Sequence, residues 1–390
     1  MLSLIWRAVS RSLALKFLKG KVLNARHQAL RAFLYEDKKI VLPIATHPKC
    51  TVIIPTYNGA EHTLQCLLSL VPQCAEWMEI LVHDDCSTDE TMKLLSQFGN
   101  LSIVRSSGNI GFLKSINSAV NHARGEFVIL MNNDARLAEG SIQQMIAQFE
   151  NDPSCGYMGA RVMLADGTLQ EAGCMIFQNG QTSGYLRFSR NDDLRALYMR
   201  EVDYCSAVFC LIKREQFQKM GGFDMAYAPA YFEETDFCMR LRQAGLHCLY
   251  NPAILIEHFE FGSLPSSSAR KAISDRRRVF LDRWRNTLSE GRFPKSLFGS
   301  NPELAARRLQ QRPRQLLVVS GPDVADILID EAIEESGSTT VHFVGFTERE
   351  VKLKVGRFGP DVEVTCSKYP SGVEKLLKGR RNFFDTVKSI

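Results

Sequence analysis

Hydrophobic and polar positions come in blocks between residues 50 and 131. The apolar runs Thr51-Val52-Ile53-Ile54, Glu79-Ile80-Leu81-Val82, Leu101-Ser102-Ile103-Val104 and Phe127-Val128-Ile129-Leu130-Met131 recur roughly every 25 residues, each leading through a polar or glycine-containing turn into a helical stretch. This rhythm predicts repeated βα units on a doubly wound parallel sheet. Ser87-Thr88-Asp89-Glu90 reads as a capping box, which predicts that the helix after the second run starts there.

Past Asn151-Asp152-Pro153 the pattern turns mixed. Turns at Asp166-Gly167 and Asn179-Gly180, a loop over 189–193 and an apolar run over 204–212 precede a helix expected over 234–244. Gly245 stops that helix, and a strand over 253–256 delivers Glu257-His258. Residues 266–314 read as a basic helical connector. From Gln315 a second βα rhythm begins, with strands at 316–319, 340–344, 362–365 and 384–387 and helices between them. It predicts a small Rossmann-like unit over 315–390, truncated in appearance and without a G-x-G-x-x-G after its first strand. The expected domains are therefore 1–48, 49–265, 266–314 and 315–390.

The first 48 residues differ from the rest. Arg7, Arg11, Lys16, Lys19, Lys21, Arg26 and Arg31 stand among leucines and aromatics before the first acid, Glu36. This basic amphipathic segment has two readings: a helix over residues 1–35 lying on an anionic membrane, or a solvated helix packed on the main domain. Across all 390 residues the net charge is only +5, too small a bias to imply nucleic acid. No window holds the roughly 18 to 20 uninterrupted apolar residues of a spanning helix. The 11 cysteines form no C-x-x-C pair, which favours buried thiols in a reducing compartment and a cytoplasmic protein, peripheral on the membrane if the first segment binds it.

Ligands of open α/β sheets bind beyond the carboxyl ends of the strands, so the residues there carry the chemistry. They are Pro55-Thr56-Tyr57-Asn58, Asp84-Asp85, Asn109-Ile110-Gly111 and Asn132-Asn133-Asp134. Short polar groups and carboxylates at one sheet edge suit a nucleotide with an ion nearby; no Walker loop is present. Asp134 reads either as a ligand of Mg²⁺ or Mn²⁺ or as a helix N-cap. Asp84 either accepts from a base and ribose or orients the following loop. A second cluster is Glu233-Glu234-Thr235-Asp236 with the later His258. The paired glutamates cap a helix or supply a general base, and His258 is a buried hydrogen-bonding ring or part of the ion's shell.

Pro55-Thr56-Tyr57-Asn58, His83-Asp84-Asp85-Cys86-Ser87, Asn109-Ile110-Gly111-Phe112 with Asn117, Met131-Asn132-Asn133-Asp134, Gly221-Gly222-Phe223-Asp224, Glu233-Glu234-Thr235-Asp236 and His258 with Gly262-Ser263 resemble, in order, the motifs of glycosyltransferase family 2 in its rhamnosyltransferase-like branch. The resemblance implies a GT-A fold with a Rossmann-like mixed sheet, a nucleotide-diphosphate sugar donor, a divalent cation and inversion at the anomeric carbon. It places Pro55, Tyr57 and Asp84 on base and ribose, Asp134 on the metal, His258 on metal or diphosphate, and Glu234 at the catalytic base, with Glu233 as rival. Two departures stand out: Glu in place of Asp at the base, and Asn132 at the head of the D-x-D-like turn.

The expected function is transfer of a sugar to a glycan or lipid-linked acceptor hydroxyl in cell-envelope polysaccharide synthesis. A nucleotidyltransferase is disfavoured, because no Lys or Arg follows the first strand. The alternative is a non-catalytic nucleotide-sugar-binding or scaffold protein of a polysaccharide assembly complex, which would release no nucleoside diphosphate from its donor. Neither donor sugar, acceptor nor oligomeric state follows from the sequence.

Overall fold

A computed structural model describes residues 2–37, 39–259, 266–291, 314–320, 329–330, 332–333, 338–355, 358, 362–380 and 384–389, with backbone alone for 2–17, 266–270, 291, 314, 338 and 379. The strands are β1 (Ile40–Val41), β2 (Cys50–Thr56), β3 (Met78–Asp84), β4 (Phe98–Gly99), β5 (Ser102–Arg105), β6 (Phe127–Met131), β7 (Ala135–Glu139), β8 (Cys155–Leu164), β9 (Leu169–Ala172), β10 (Cys174–Ile176), β11 (Thr182–Gly184), β12 (Arg200–Val202), β13 (Phe209–Lys213) and β14 (His247–His258). The main helices are α1 (Leu2–Tyr35), α2 (Ala60–Leu70), α3 (Thr91–Leu95), α4 (Phe112–His122), α5 (Ile142–Glu150), α6 (Arg214–Lys219), α7 (Glu233–Gln243) and α8 (Ser266–Gly291).

All four apolar runs are strands, and β5-β3-β2-β6 are parallel neighbours in that order. The sheet continues through β13, antiparallel to both β6 and β8, and on to β14 and β12. The expected α/β class with a mixed sheet is therefore what the chain adopts. Alternate residues of each strand face opposite layers, as the period of two requires. Ile53, Val128 and Leu130 pack with α4, α7 and α8, while Val52, Ile54, Ile129 and Met131 pack with α1, α2 and α5. Because both faces are covered, β2 and β6 are buried along their whole length.

Strand order reverses between β2 and β6: the chain leaves β2 for β3 on one side, and β6 lies on the other. The crevice at such a switch point is flanked here by residues 55–58 and 132–134.

Two expectations change in detail, and for α1 the structure shows the packed reading at its C-terminal end. The helix after β3 starts at Thr91, because the Ser87 hydroxyl accepts the Asn58 amide at 2.8 Å and the Asp89 carboxylate takes the Thr91 amide at 3.0 Å. α8, expected as part of a connector, also buries Phe280, Trp284 and Leu288 in the α7-side core. Helix α1 packs through Leu30 and Phe33 against α2 and its neighbours, with Phe33 stacked on Phe98 at 5.8 Å. The motif residues Gly262 and Ser263 and much of the helix expected after residue 322 lie outside the described residues.

The C-terminal unit has four parallel strands, β15 (Arg314–Ser320), β16 (Ser338–Val344), β17 (Val362–Ser367) and β18 (Thr386–Ser389), in the order β17-β16-β15-β18, with α9 (Glu348–Val355) and α10 (Ser371–Gly379). Leu194 of the preceding domain shares its core, and Lys352 reaches Asp192 at 2.5 Å.

Asp236 holds α7 in place. Its fully buried carboxylate accepts Tyr227 Oη at 3.1 Å, Arg240 Nε at 2.8 Å, Arg283 at 2.9 Å and Trp284 Nε1 at 2.9 Å, while Arg240 also donates to the carbonyls of Met220 and Gly222. Asp236→Asn strands two guanidinium groups against a neutral amide, so it is expected to destabilise the protein by about 3 kcal/mol. The check is a lower urea midpoint at unchanged slope.

Candidate functional site

The loop after β2 is tied together from within. Asn133 Nδ2 donates to Thr56 Oγ1 at 3.1 Å, to Thr63 Oγ1 at 3.1 Å and to the Asn58 carbonyl at 3.4 Å. Asn58, at φ +57°, accepts the Thr88 amide on its side-chain oxygen at 2.8 Å. Thr56, Asn58 and Asn133 thus spend their polar atoms shaping the crevice wall. Pro55 is buried beside His83, and Tyr57 is exposed at its mouth.

The two aspartates after β3 do different things. Asp84 is fully buried, accepts the Ser87 amide at 3.1 Å and pairs with Arg105 Nε at 3.1 Å. Asp85 takes the amides of Ile110 and Gly111, each at 2.8 Å, and so pins the loop carrying Asn109. Gly111 sits at φ +84°, a conformation any side chain would strain. Asn109 is exposed and Asn132 half-buried; neither side chain makes a hydrogen bond among the described residues.

After β6 the structure brings Asp134 and His258 together, Oδ1 to Nε2 at 3.2 Å, both buried. β7 pairs with the end of β14 in a register that sets His258 against Ala135. Burial alone would raise the Asp134 carboxyl. Its positive surroundings, His258 first and then His62 and Arg26, outweigh that and hold it at about 2. The His258 ring is oriented from behind by Gln170, whose Oε1 lies 2.7 Å from Nδ1. In the tautomer with Nδ1–H donating to Gln170, Nε2 offers its lone pair beside a carboxylate oxygen, an arrangement that suits a shared cation; with Nε2 protonated it donates to Asp134 directly. Two cis ligands of an octahedral ion with bonds of about 2.1 Å are about 3.0 Å apart, so the pair fits a divalent metal. Among the described residues no group of three or more His, Cys, Asp or Glu forms a complete cage, so further oxygens would come from a bound diphosphate or water.

The second cluster is carboxylic. Glu233 and Glu234 open α7, whose preceding residue Phe232 is left-handed at φ +71°. Burial pushes Glu234 up to about 7, with the Glu171 carboxylate adding to the shift. Burial, and then the Glu234 charge, push Glu233 well above the ordinary glutamate value too. One oxygen of each, Oε2, is buried without a hydrogen-bond partner among the described residues. Glu171 itself accepts the Ser206 amide at 2.9 Å. Consecutive residues of β9 thus serve the two clusters, Gln170 on His258 and Glu171 beside Glu234.

Sequence reasoning missed Gln170 and Glu171. Two adjacent polar residues in a four-residue strand that is buried throughout were the available signal. It also missed Arg26 and His62. Arg26 lies at the buried-face spacing i, i+4, i+7 with Leu30 and Phe33, and donates to His62 Nδ1 at 2.7 Å. His62 packs on the Phe259 ring at 4.7 Å, and burial, with Arg26 adding to it, lowers its pKa.

Residues 51–221 match the family model "Glycosyl transferase family 2". Over that stretch, less than half of the chain, the sequence is similar to glycosyltransferase family 2. The match takes in the crevice loops and Asp134 and stops short of Glu234 and His258. Among curated proteins similar to this chain, the uncharacterized protein y4gI of Sinorhizobium fredii is 26% identical over 234 residues, 57% of this chain and 25% of that protein. An N-acetylglucosaminyl-diphospho-decaprenol L-rhamnosyltransferase of Mycobacterium tuberculosis is 24% identical over 230 residues, 53% of this chain and 75% of its own. The chain thus spans a quarter of the first relative and three quarters of the second. Among solved structures, a mannosyltransferase of Pyrobaculum calidifontis in complex with GDP-Man and Mn²⁺ is 18% identical at a TM-score of 0.41, over 72% of this chain and 78% of that one. Among the described residues no helix is long and apolar enough to cross a membrane.

Proposed function

We propose that this protein is an inverting, metal-dependent hexosyltransferase that moves a sugar from a nucleotide-diphosphate donor to a hydroxyl of a glycan or lipid-linked acceptor. The observation that carries the reading is the buried Asp134–His258 pair, 3.2 Å apart at the ligand edge of the sheet, in a chain that also holds the Glu234 carboxylate at about 7. One group suits a cation-bound diphosphate and the other a proton acceptor.

Asp134 and His258 would hold Mg²⁺ or Mn²⁺, which when bound supplies charge neutralisation to the diphosphate. Pro55, Tyr57 and Asp84 line the side where base and ribose would lie, on a wall shaped by Thr56, Asn58, Asp85, Gly111 and Asn133, with Asn109 and Asn132 offering free amides. Glu234 takes the proton from the acceptor hydroxyl as its oxygen attacks the anomeric carbon and the bond to the nucleoside diphosphate breaks. A carboxylate of pKa about 7 is a stronger base than an ordinary glutamate and still half ionised at neutral pH. Glu233 beside it is also pushed up, by burial first and then by the Glu234 charge, so the pair resists carrying two negative charges.

The similarity to an N-acetylglucosaminyl-diphospho-decaprenol L-rhamnosyltransferase supports a lipid-linked acceptor and a role in cell-envelope polysaccharide synthesis. The basic start of α1 would then keep the protein peripheral on the cytoplasmic membrane face. A panel of nucleotide-diphosphate sugars, each with Mn²⁺, tests the reading through release of nucleoside diphosphate. Release from one or two donors is expected; a donor that binds and is never cleaved would instead establish the scaffold alternative.

A further inference from the structure

Arg26 belongs to α1, outside residues 51–221 that the family model matches, yet its guanidinium ends beside the metal-suited pair. The side chain is 6% exposed. Its single hydrogen bond among the described residues goes to His62 Nδ1 at 2.7 Å. Glu257 Oε1 is 3.6 Å away, too far to accept, and Glu257 is already clamped by Arg136 through its other oxygen at 2.6 and 2.9 Å. A guanidinium has five N–H donors, so most of Arg26's fork is unspent, and none of its nitrogens is among the buried unpartnered atoms, which leaves them open to a ligand. It lies over the Phe259 ring at 5.0 Å, and the Phe259 amide donates to the Asp134 carbonyl at 3.2 Å. Phe259 thus joins the Arg26–His62 pair to the Asp134–His258 pair.

Helix packing explains how an arginine is held there. Leu30 and Phe33 anchor α1 in the core beneath α2, and Arg26 lies one turn before Leu30 on the same face. A position that packing alone would fill with an apolar residue carries a cation that stacks on Phe259 and lowers the pKa of the Asp134 carboxyl. Planar forks of this kind match two oxygens of a phosphate group at once.

We propose that Arg26 is a donor-binding residue, supplied by the N-terminal helix, which grips the diphosphate of the sugar nucleotide opposite Asp134 and His258. This rests on the donor reading above. As the glycosidic bond breaks, the departing diphosphate gains a negative charge, and a fixed guanidinium stabilises that charge without reorganising. The docking of α1 is then part of assembling the site.

The test is calorimetry on the full chain with inorganic pyrophosphate in the presence of Mn²⁺, and with Mn²⁺ alone. Wild-type protein is expected to bind pyrophosphate only with the metal. Arg26→Met should weaken pyrophosphate binding by about 10- to 100-fold, while Mn²⁺ alone binds as well or better, because a neighbouring positive charge has gone. Equal pyrophosphate affinity in the variant overturns the role of Arg26 and leaves the donor reading standing. Parallel loss of Mn²⁺ and pyrophosphate also overturns it, since that marks a merely structural arginine. Failure of the wild type to bind pyrophosphate with Mn²⁺ overturns the donor reading and this inference together. Should Arg26→Met not fold, Arg26→Lys decides. It keeps the charge and loses the fork, so several-fold weaker binding supports the proposal and unchanged affinity overturns it.

Discussion

Glu234→Gln is expected to slow sugar transfer by about 10²- to 10⁴-fold, the range that loss of a general base costs, while donor affinity stays within about twofold. The amide keeps the shape of the side chain and cannot take a proton. Burial holds Glu234 at about 7, so the wild-type kcat/KM should climb about tenfold per pH unit below 7 and level off above it. The variant's residual rate should lack that limb. Stability moves the other way. A folded pKa raised above the ordinary 4.5 means that folding favours the protonated form. The stabilisation is therefore full below about pH 4.5 and fades as pH rises through about 7. Glu234→Gln should melt above the wild type at pH 8 and alongside it at pH 4.5, which also shows that the slow variant is folded. Unchanged turnover would remove Glu234 from the chemistry and turn attention to Glu233.

The second large effect is at Asp134. Asp134→Asn keeps the turn and removes the charge that faces His258 at 3.2 Å. Metal-dependent binding of nucleoside diphosphate should fall at least tenfold, and kcat/KM by about 10²- to 10³-fold, as when a preorganised electrostatic contact to the leaving group is lost. Calorimetry with and without Mn²⁺ reads the first, steady-state kinetics the second. Because its surroundings hold the carboxyl at about 2, Asp134 stays ionised across the working range and adds nothing to the acid limb of activity. A variant that binds nucleotide with undiminished metal dependence would exclude Asp134 as a ligand.

The two residues show how differently a site can be read from a chain. Asp134 stands at the end of an apolar run, where strand periodicity alone puts a polar turn at the ligand edge of a sheet. Glu234 is visible as an acid at a helix start, yet its working character is an environmental property. Its pKa depends first on the burial that α7 packing imposes and then on Glu171 some sixty positions earlier. Asp85, one of the carboxylates at the ligand edge in the sequence, clamps two loop amides in space. Asp236, part of the same acidic motif as Glu234, serves packing, since four donors from three separate segments meet on it.

Local pattern was sufficient for the βα rhythm, for the α/β class and for most strand ends that line the crevice, because side-chain periodicity and turn chemistry act within a few residues. Tertiary structure alone decided which polar groups face one another. It set Gln170 behind His258, brought Arg26 from the first helix to Asp134, and made α8 part of the core. Those choices turn on strand register and helix docking, which join residues a hundred positions apart and leave no period in the chain between them.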